Sequence, residues 1–175
     1  MFDISSPAPV KVLVAAFWND HKAWRQALTR MTEIWGDPDL AGSVRNFHAS
    51  RYYESEMGPN LKRQLQSFER LADPGDIADM KLQTNRIEKD LCCNTSRTVN
   101  LDIGYLDLHK VVLASTKEGP QKIYVGRGIW ADLTLLYKKK RFHAMPWTFP
   151  DFASRVYDQF LLTARAKYKE QLRHR

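Results

Sequence analysis

The stretch from Arg97 to Lys117 constrains the fold of this chain more than any other. It holds two apolar runs joined by a short polar corner. In the first run Val99, Leu101 and Ile103 alternate with Asn100 and Asp102, the period of a strand with one covered face. The second run, Val111 to Ala114, is apolar at every position, as in a strand buried on both faces. The remaining segments are expected to pack against this pair or to frame its polar edge.

Lys11 to Phe17 reads as a buried strand that ends at Asn19-Asp20, a helix N-cap. Trp24, Ala27, Leu28, Met31 and Trp35 then recur at helical spacing, and Gly36 supplies the stop. A second strand is expected over Ser43 to Ser50. Arg51 to Gly58 concentrates aromatic and acidic groups. Leu61, Leu65, Phe68 and Leu71 suggest a short helix over Leu61 to Leu71, opened by Pro59. Asp73-Pro74-Gly75-Asp76 is a turn. A helix follows from about Ile77 to Cys92, with Lys81, Asn85 and Glu88 on one stripe. Downstream, Lys122 to Val125, Ile129 to Tyr137 and Phe142 to Met145 read as a meander, with Lys138 to Arg141 at a hairpin tip. A final helix carries Phe152, Val156, Phe160, Ala164, Tyr168 and Leu172.

Together these segments predict an α+β fold: a two-layer sandwich with a mixed, mostly antiparallel sheet, an opening β-α-β unit, a later β-meander and a C-terminal helix. The 175 residues, 43% of them hydrophobic, suffice for one globular domain spanning residues 1–175. Residues 1–9 read as a loose lead-in and residues 165–175 as a basic, frayed helix end.

Charge is distributed unevenly. The net charge is +7, and Lys138, Lys139, Lys140 and Arg141 supply +4 of it. The tail from Arg165 to Arg175 supplies another +4, which leaves the rest of the chain near −1. The candidate polyanion-binding residues are Lys138, Lys139, Lys140, Arg141, Arg165, Lys167, Lys169 and Arg173, which suit RNA or another polyanion, the alternative being a solvated turn and a helix end favoured by the dipole. Cys92 and Cys93 are the only cysteines, so no disulfide framework is expected. The N-terminus lacks the pattern of a signal peptide, and the longest strongly apolar run, Val12 to Trp18, is too short to span a bilayer. A cytoplasmic protein without membrane contact is the expectation.

No catalytic signature is present, so no catalytic residue is assigned and enzymatic activity stays open. There is no Gly-x-x-x-x-Gly-Lys-Ser/Thr loop to wrap phosphates. Gly126-Arg127-Gly128 lacks the following Lys-Ser/Thr and helix. The five histidines lack metal-ligand spacing, so no metal and no cofactor are expected. What stands out is a set of polar side chains beside core positions: Glu56, Lys81, Asn85, Asn100, Asp102, Lys117, Asp132 and Thr134. If they converge, carboxylates and amines share one pocket. That mixture suits a phosphorylated or amino-bearing small molecule, a nucleotide among them, or general acid–base chemistry. A third reading is a protein-interaction scaffold using Trp130, Trp147 and the last helix. The pattern sets no oligomeric state.

Several motifs together give a resemblance: Tyr52-Tyr53-Glu54-Ser55-Glu56-Met57-Gly58, Thr84-Asn85, Asn100 to Leu106, Leu113-Ala114-Ser115-Thr116-Lys117, Gly128 to Thr134, and Pro146-Trp147-Thr148-Phe149-Pro150-Asp151. In these the chain resembles a bacterial family catalogued as a domain of unknown function, whose members sometimes carry the label "GTP-binding protein". The motifs cover nearly the whole chain. Ile103 stands where the family pattern has Pro, Gln121 where it has His or a similar polar residue, and Phe149 and Phe152 where it has Tyr. The resemblance implies membership of the family and no established activity.

Overall fold

The computed structural model describes residues 4–47, 53, 56–94 and 96–174. Parts of the expected 43–50 strand and of the aromatic, acidic 51–58 stretch fall at positions 48–52, 54 and 55, outside the described residues. The same holds for positions 1–3 of the lead-in and 175 of the tail.

The chain opens with β1 (Val10–Trp18), α1 (His21–Trp35), β2 (Pro38–Ala41) and β3 (Arg45–Asn46). β4 (Lys62–Ala72) follows, then a 3-10 turn at Pro74–Asp76 and α2 (Ile77–Asp90). The second half holds β5 (Val99–Leu106), β6 (Lys110–Ser115), β7 (Ile123–Gly126), β8 (Ile129–Lys138) and β9 (Arg141–Ala144). It closes with α3 (Pro150–Ala153) and α4 (Asp158–Arg173). α1 starts where Asp20 accepts a hydrogen bond from the Lys22 N–H, and it ends at Gly36 with φ 78°.

The strands form one sheet in the order β2-β4-β1-β5-β6-β8-β7, with β3 on β4 and β9 on β8. Every pairing between these strands is antiparallel. β1 and β2 run the same way on either side of β4, so the opening is a β-α-β unit split by an antiparallel strand.

β1 is buried at all of its positions because both faces of the sheet are covered. Val12, Val14, Ala16 and Trp18 pack with Trp24, Ala27 and Met31 of α1 and with Met80 and Ile87 of α2. Leu13 and Ala15 face the other way, into Phe160, Leu161, Ala164 and Tyr168 of α4. The final helix therefore adds a third layer to the two that the sequence suggests. The alternating residues of β1 offer its apolar stripe a second apolar face. Lys11 is fully buried on this side, where its ammonium meets Asp39 and donates to Gln171 Oε1 at 2.9 Å.

The 61–71 segment is a strand, not the expected short helix. Leu65 points into the α4 face while Phe68 points into the α1 face. An interior strand with both faces covered shows no simple alternation, and here the residues shared between faces happen to fall at helical spacing. Within the described part of the expected 43–50 strand, Arg45–Asn46 form the short strand β3, and a further short strand, β2, precedes Gly42. The last helix is broken between Ala153 and Asp158, where Arg155 takes φ 68°.

Candidate functional site

The central strand pair is a fork. β5 pairs with β1 along its whole length, from Val99 opposite Trp18 to Leu106 opposite Lys11. It pairs with β6 only at Gly104, Tyr105 and Leu106. Beyond that point β6 continues alongside β8 as far as Ser115, and the two prongs separate. Gly104 sits at the crotch, where a Cβ would lie 2.0 Å from the Val112 carbonyl oxygen, so only glycine fits.

Separation of the prongs would strand the peptide groups of Leu101 in a buried place. α2 supplies their partners. The Leu101 N–H donates to Glu88 Oε1 at 2.7 Å, and Lys81 Nζ donates to the Leu101 carbonyl at 2.9 Å. These two side chains, two turns apart on one face of α2, stand in for the missing strand and hold the fork open. They also face each other at 3.7 Å. Burial pushes the Glu88 carboxyl above its ordinary range, against the pull of Lys81.

The resulting cleft has a volume of about 460 Å³. Of the residues singled out in the sequence, Lys81, Asn85, Asn100, Asp102, Lys117 and Asp132 line it. Glu56 does not line it, but it grips a residue that does. Arg97 donates to Glu56 through Nε at 2.7 Å and Nη2 at 2.6 Å, a bidentate pair. That hydrogen-bonded pairing holds the Glu56 carboxyl below its ordinary range. Thr134 stays out of the cleft: it is buried, and its hydroxyl donates to the Asp132 carbonyl at 3.1 Å.

Along the β5 prong the polar groups form one chain. Arg97 Nη1 donates to Asn100 Oδ1 at 2.7 Å, and Asn100 Nδ2 donates to Asp102 Oδ1 at 2.8 Å. Asp102 then meets Arg63 at 3.0 Å, and Arg63 reaches Asp151 at 3.2 Å. Tyr157, whose hydroxyl donates to Asp151 at 3.1 Å, closes the chain, and burial raises its pKa to about 12. Arg63 itself is 3% exposed and lies over the rings of Phe17, Phe47 and Phe152.

The β6–β8 prong is different. Lys122 Nζ donates to Ser115 Oγ at 2.9 Å and to the Lys117 carbonyl at 3.0 Å, and lies 3.9 Å from Asp132 Oδ2. Asp132 is 5% exposed, and its Oδ1 has no hydrogen-bond partner. Burial pushes this carboxyl above its ordinary range while Lys122 pulls the other way. A buried acid so placed can take a proton from, or give one to, a group that enters the cleft.

Sequence reasoning missed Arg97, Lys122, Ser115, Thr116, Tyr53 and Phe149, which also line the cleft. Arg97 and Lys122 each sit just outside a strand, where a cation reads as solvated. For Arg97 the available signal was the carboxylate- and amide-bearing strand β5 that begins just after it, whereas β7, which begins after Lys122, carries no such side chain. Among the described residues no group of three or more His, Cys, Asp or Glu is arranged to hold a metal ion. No helix among them is long and apolar enough to cross a membrane.

The cationic candidates divide. Lys138, Lys139, Lys140 and Arg141 form the exposed β8–β9 tip. Arg165, Lys169 and Arg173 share one stripe of α4, whereas Lys167 lies on another side, in a groove with Asp39 and Glu69. Of the scaffold candidates, Trp130 packs on Tyr124 with ring centroids 5.3 Å apart, and Trp147 donates its indole N–H to the Leu133 carbonyl at 2.9 Å.

Residues 8–168 match the family described as domain of unknown function (DUF4416), and the chain belongs to that family. No curated protein and no solved structure matches it.

Proposed function

We propose that this DUF4416 domain binds a small polar molecule, phosphorylated or amino-bearing, in the fork between β5 and β6, without a P-loop. The observation that carries the reading is Asp132: a buried carboxylate oxygen with no partner, on the wall of a cleft. Buried polar atoms are almost always satisfied, so an exception on a cleft wall marks where a ligand donor belongs. An N–H or O–H of the ligand meets Asp132 Oδ1. The anionic end of the ligand lies toward Lys122 and Lys117, beside the hydroxyls of Ser115 and Thr116. The β5 prong serves as the fixed wall against which the ligand is oriented. Nucleotides fall within this ligand class, as do smaller phosphorylated metabolites.

The test is thermal unfolding of the pure protein with nucleotides, sugar phosphates and amino acids, each with and without magnesium, at low and high salt. A ligand present at about 100 times its dissociation constant adds roughly 2.7 kcal/mol, a rise of several degrees for a chain of this size. The rise is expected to persist at high salt and to vanish in Asp132→Asn. A rise that survives unchanged in Asp132→Asn, or no rise with any compound, contradicts the proposal.

A further inference from the structure

We propose that the β8–β9 tip and the Arg165–Lys169–Arg173 stripe of α4 form one face that binds the phosphodiester backbone of a nucleic acid, separately from the cleft.

The tip supplies the first argument. Lys138 pairs with Arg141, so Lys139 and Lys140 alone make the connection. Both have positive φ, 50° and 63°. A two-residue hairpin loop with both φ values positive is a type I′ turn, which strongly favours Asn-Gly. A lysine Cβ at such φ crowds the following carbonyl oxygen. The chain therefore keeps a less stable turn and gains two cations that point into solvent. Strain of this sort, held by an otherwise regular hairpin, is a mark of function.

Charge neutralisation supplies the second. Arg30, Arg63, Lys81, Arg97, Lys110, Lys122, Arg127 and Arg155 are each paired with a carboxylate. Among the ion pairs of the described residues, none involves the tip cations or Arg165, Lys169 or Arg173. Other exposed cations, Lys22 and Arg25 among them, also have no ion pair among the described residues, so what sets the tip cations, Lys169 and Arg173 apart is that they are exposed and clustered.

Contiguity supplies the third. The Arg165 guanidinium lies 3.7 Å from the centroid of the Tyr137 ring, one residue before the tip, and its Nε donates to the Leu108 carbonyl at 2.9 Å. Lys169 and Arg173 follow on the same helical stripe, and the helix rise carries Arg173 about 12 Å beyond Arg165. Two basic segments distant in sequence thus adjoin. Lys167, about 200° around the helix from Arg165, is not part of the face.

A membrane surface is the weaker fit. Peripheral membrane binding joins basic groups to apolar side chains that insert between lipids. The tip offers only Lys and Arg, held at fixed positions by a tight turn, which suits discrete phosphates.

The test is fluorescence anisotropy of a labelled oligouridylate of about twenty nucleotides over a salt series, with the full chain. Each phosphate contact contributes about −0.7 to the slope of log K against log salt for a single strand. The informative variant is Lys139→Asn with Lys140→Gly, which installs the favoured I′ sequence and removes two charges. The expected result is a slope shallower by about 1.4 and an affinity at low salt weakened about tenfold or more, with Tm equal to or above wild type. Asp132→Asn is expected to leave RNA binding unchanged, which keeps this face distinct from the cleft. Absence of RNA binding at low salt overturns the proposal, as does an unchanged slope in the double variant. Phosphatidylserine vesicles that bind more tightly than the RNA, and lose binding in the double variant, would reassign the face to a membrane.

Discussion

The two prongs of the fork use the same kinds of residue and treat them differently. On the β5 prong, Arg97, Asn100 and Asp102 hand hydrogen bonds from one to the next, and Lys81 and Glu88 complete the peptide groups of Leu101. On the β6–β8 prong, Asp132 keeps one buried oxygen unbonded, with Lys122 at 3.9 Å from the other. These groups satisfy one another as far as Arg63, whose own buried Nε has no hydrogen-bond partner, and the bonded part of such a network is rigid and fixes one arrangement. An unsatisfied buried acid costs stability, and a chain retains it where something else completes it. The contrast assigns a structural part to the first prong and a binding part to the second.

Mutations separate these parts, and the largest effects belong to the β5 side. Glu88→Ala leaves Lys81 buried without its carboxylate and the Leu101 N–H without an acceptor. Its expected cost is about 3–5 kcal/mol, measured by urea unfolding. Gly104→Ala drives a methyl group into the Val112 carbonyl and is expected to cost about 2–3 kcal/mol by the same measurement. Arg97→Ala breaks the partly exposed bidentate pair with Glu56 and removes the donor to Asn100 Oδ1, and is expected to cost about 1–2 kcal/mol. Asp132→Asn reverses the pattern: stability at pH 7 stays level or rises by up to about 1 kcal/mol, because the variant removes a buried charge that is poorly answered. If Asp132→Asn proved as damaging as Glu88→Ala, the two prongs would be equivalent and the contrast would fail.

Much of this architecture is legible in the residues. The alternation of Val99, Leu101 and Ile103 and the helical spacing of Trp24, Ala27 and Met31 place β5 and the first helix correctly because each has a strongly periodic face, and the continuous apolar run of β1 places it because both of its faces are covered. The stripe of Lys81, Asn85 and Glu88 and the strand face of Asn100 and Asp102 likewise pointed at the cleft. The fork itself is not legible. Where two strands stop pairing depends on Gly104 and on side chains of α2, and both look ordinary in isolation. Nor could spacing show that β4 is a strand, since Leu65 and Phe68 serve opposite faces. Thr134 alternates with Asp132 in the sequence, but it falls at the register shift between β6 and β8, where Val111 pairs with Leu135 and Val112 with Leu133, so alternation overstates the site there.

The most direct measurement of the contrast is the pH dependence of unfolding free energy for wild type and Asp132→Asn, between pH 4 and pH 8 without ligand. Burial raises the Asp132 carboxyl above its unfolded value of 3.8, so the folded wild type holds this proton more tightly than the unfolded chain does. Its contribution to stability is full at low pH and is lost as pH rises through the folded pKa. The variant lacks this loss. The account predicts that the variant is at least as stable as wild type at pH 7, and that wild type gains on it as pH falls toward 4. A variant clearly less stable than wild type at pH 7, with the difference shrinking in acid, would show that the ionised Asp132 is already well partnered in the fold, and would contradict the account.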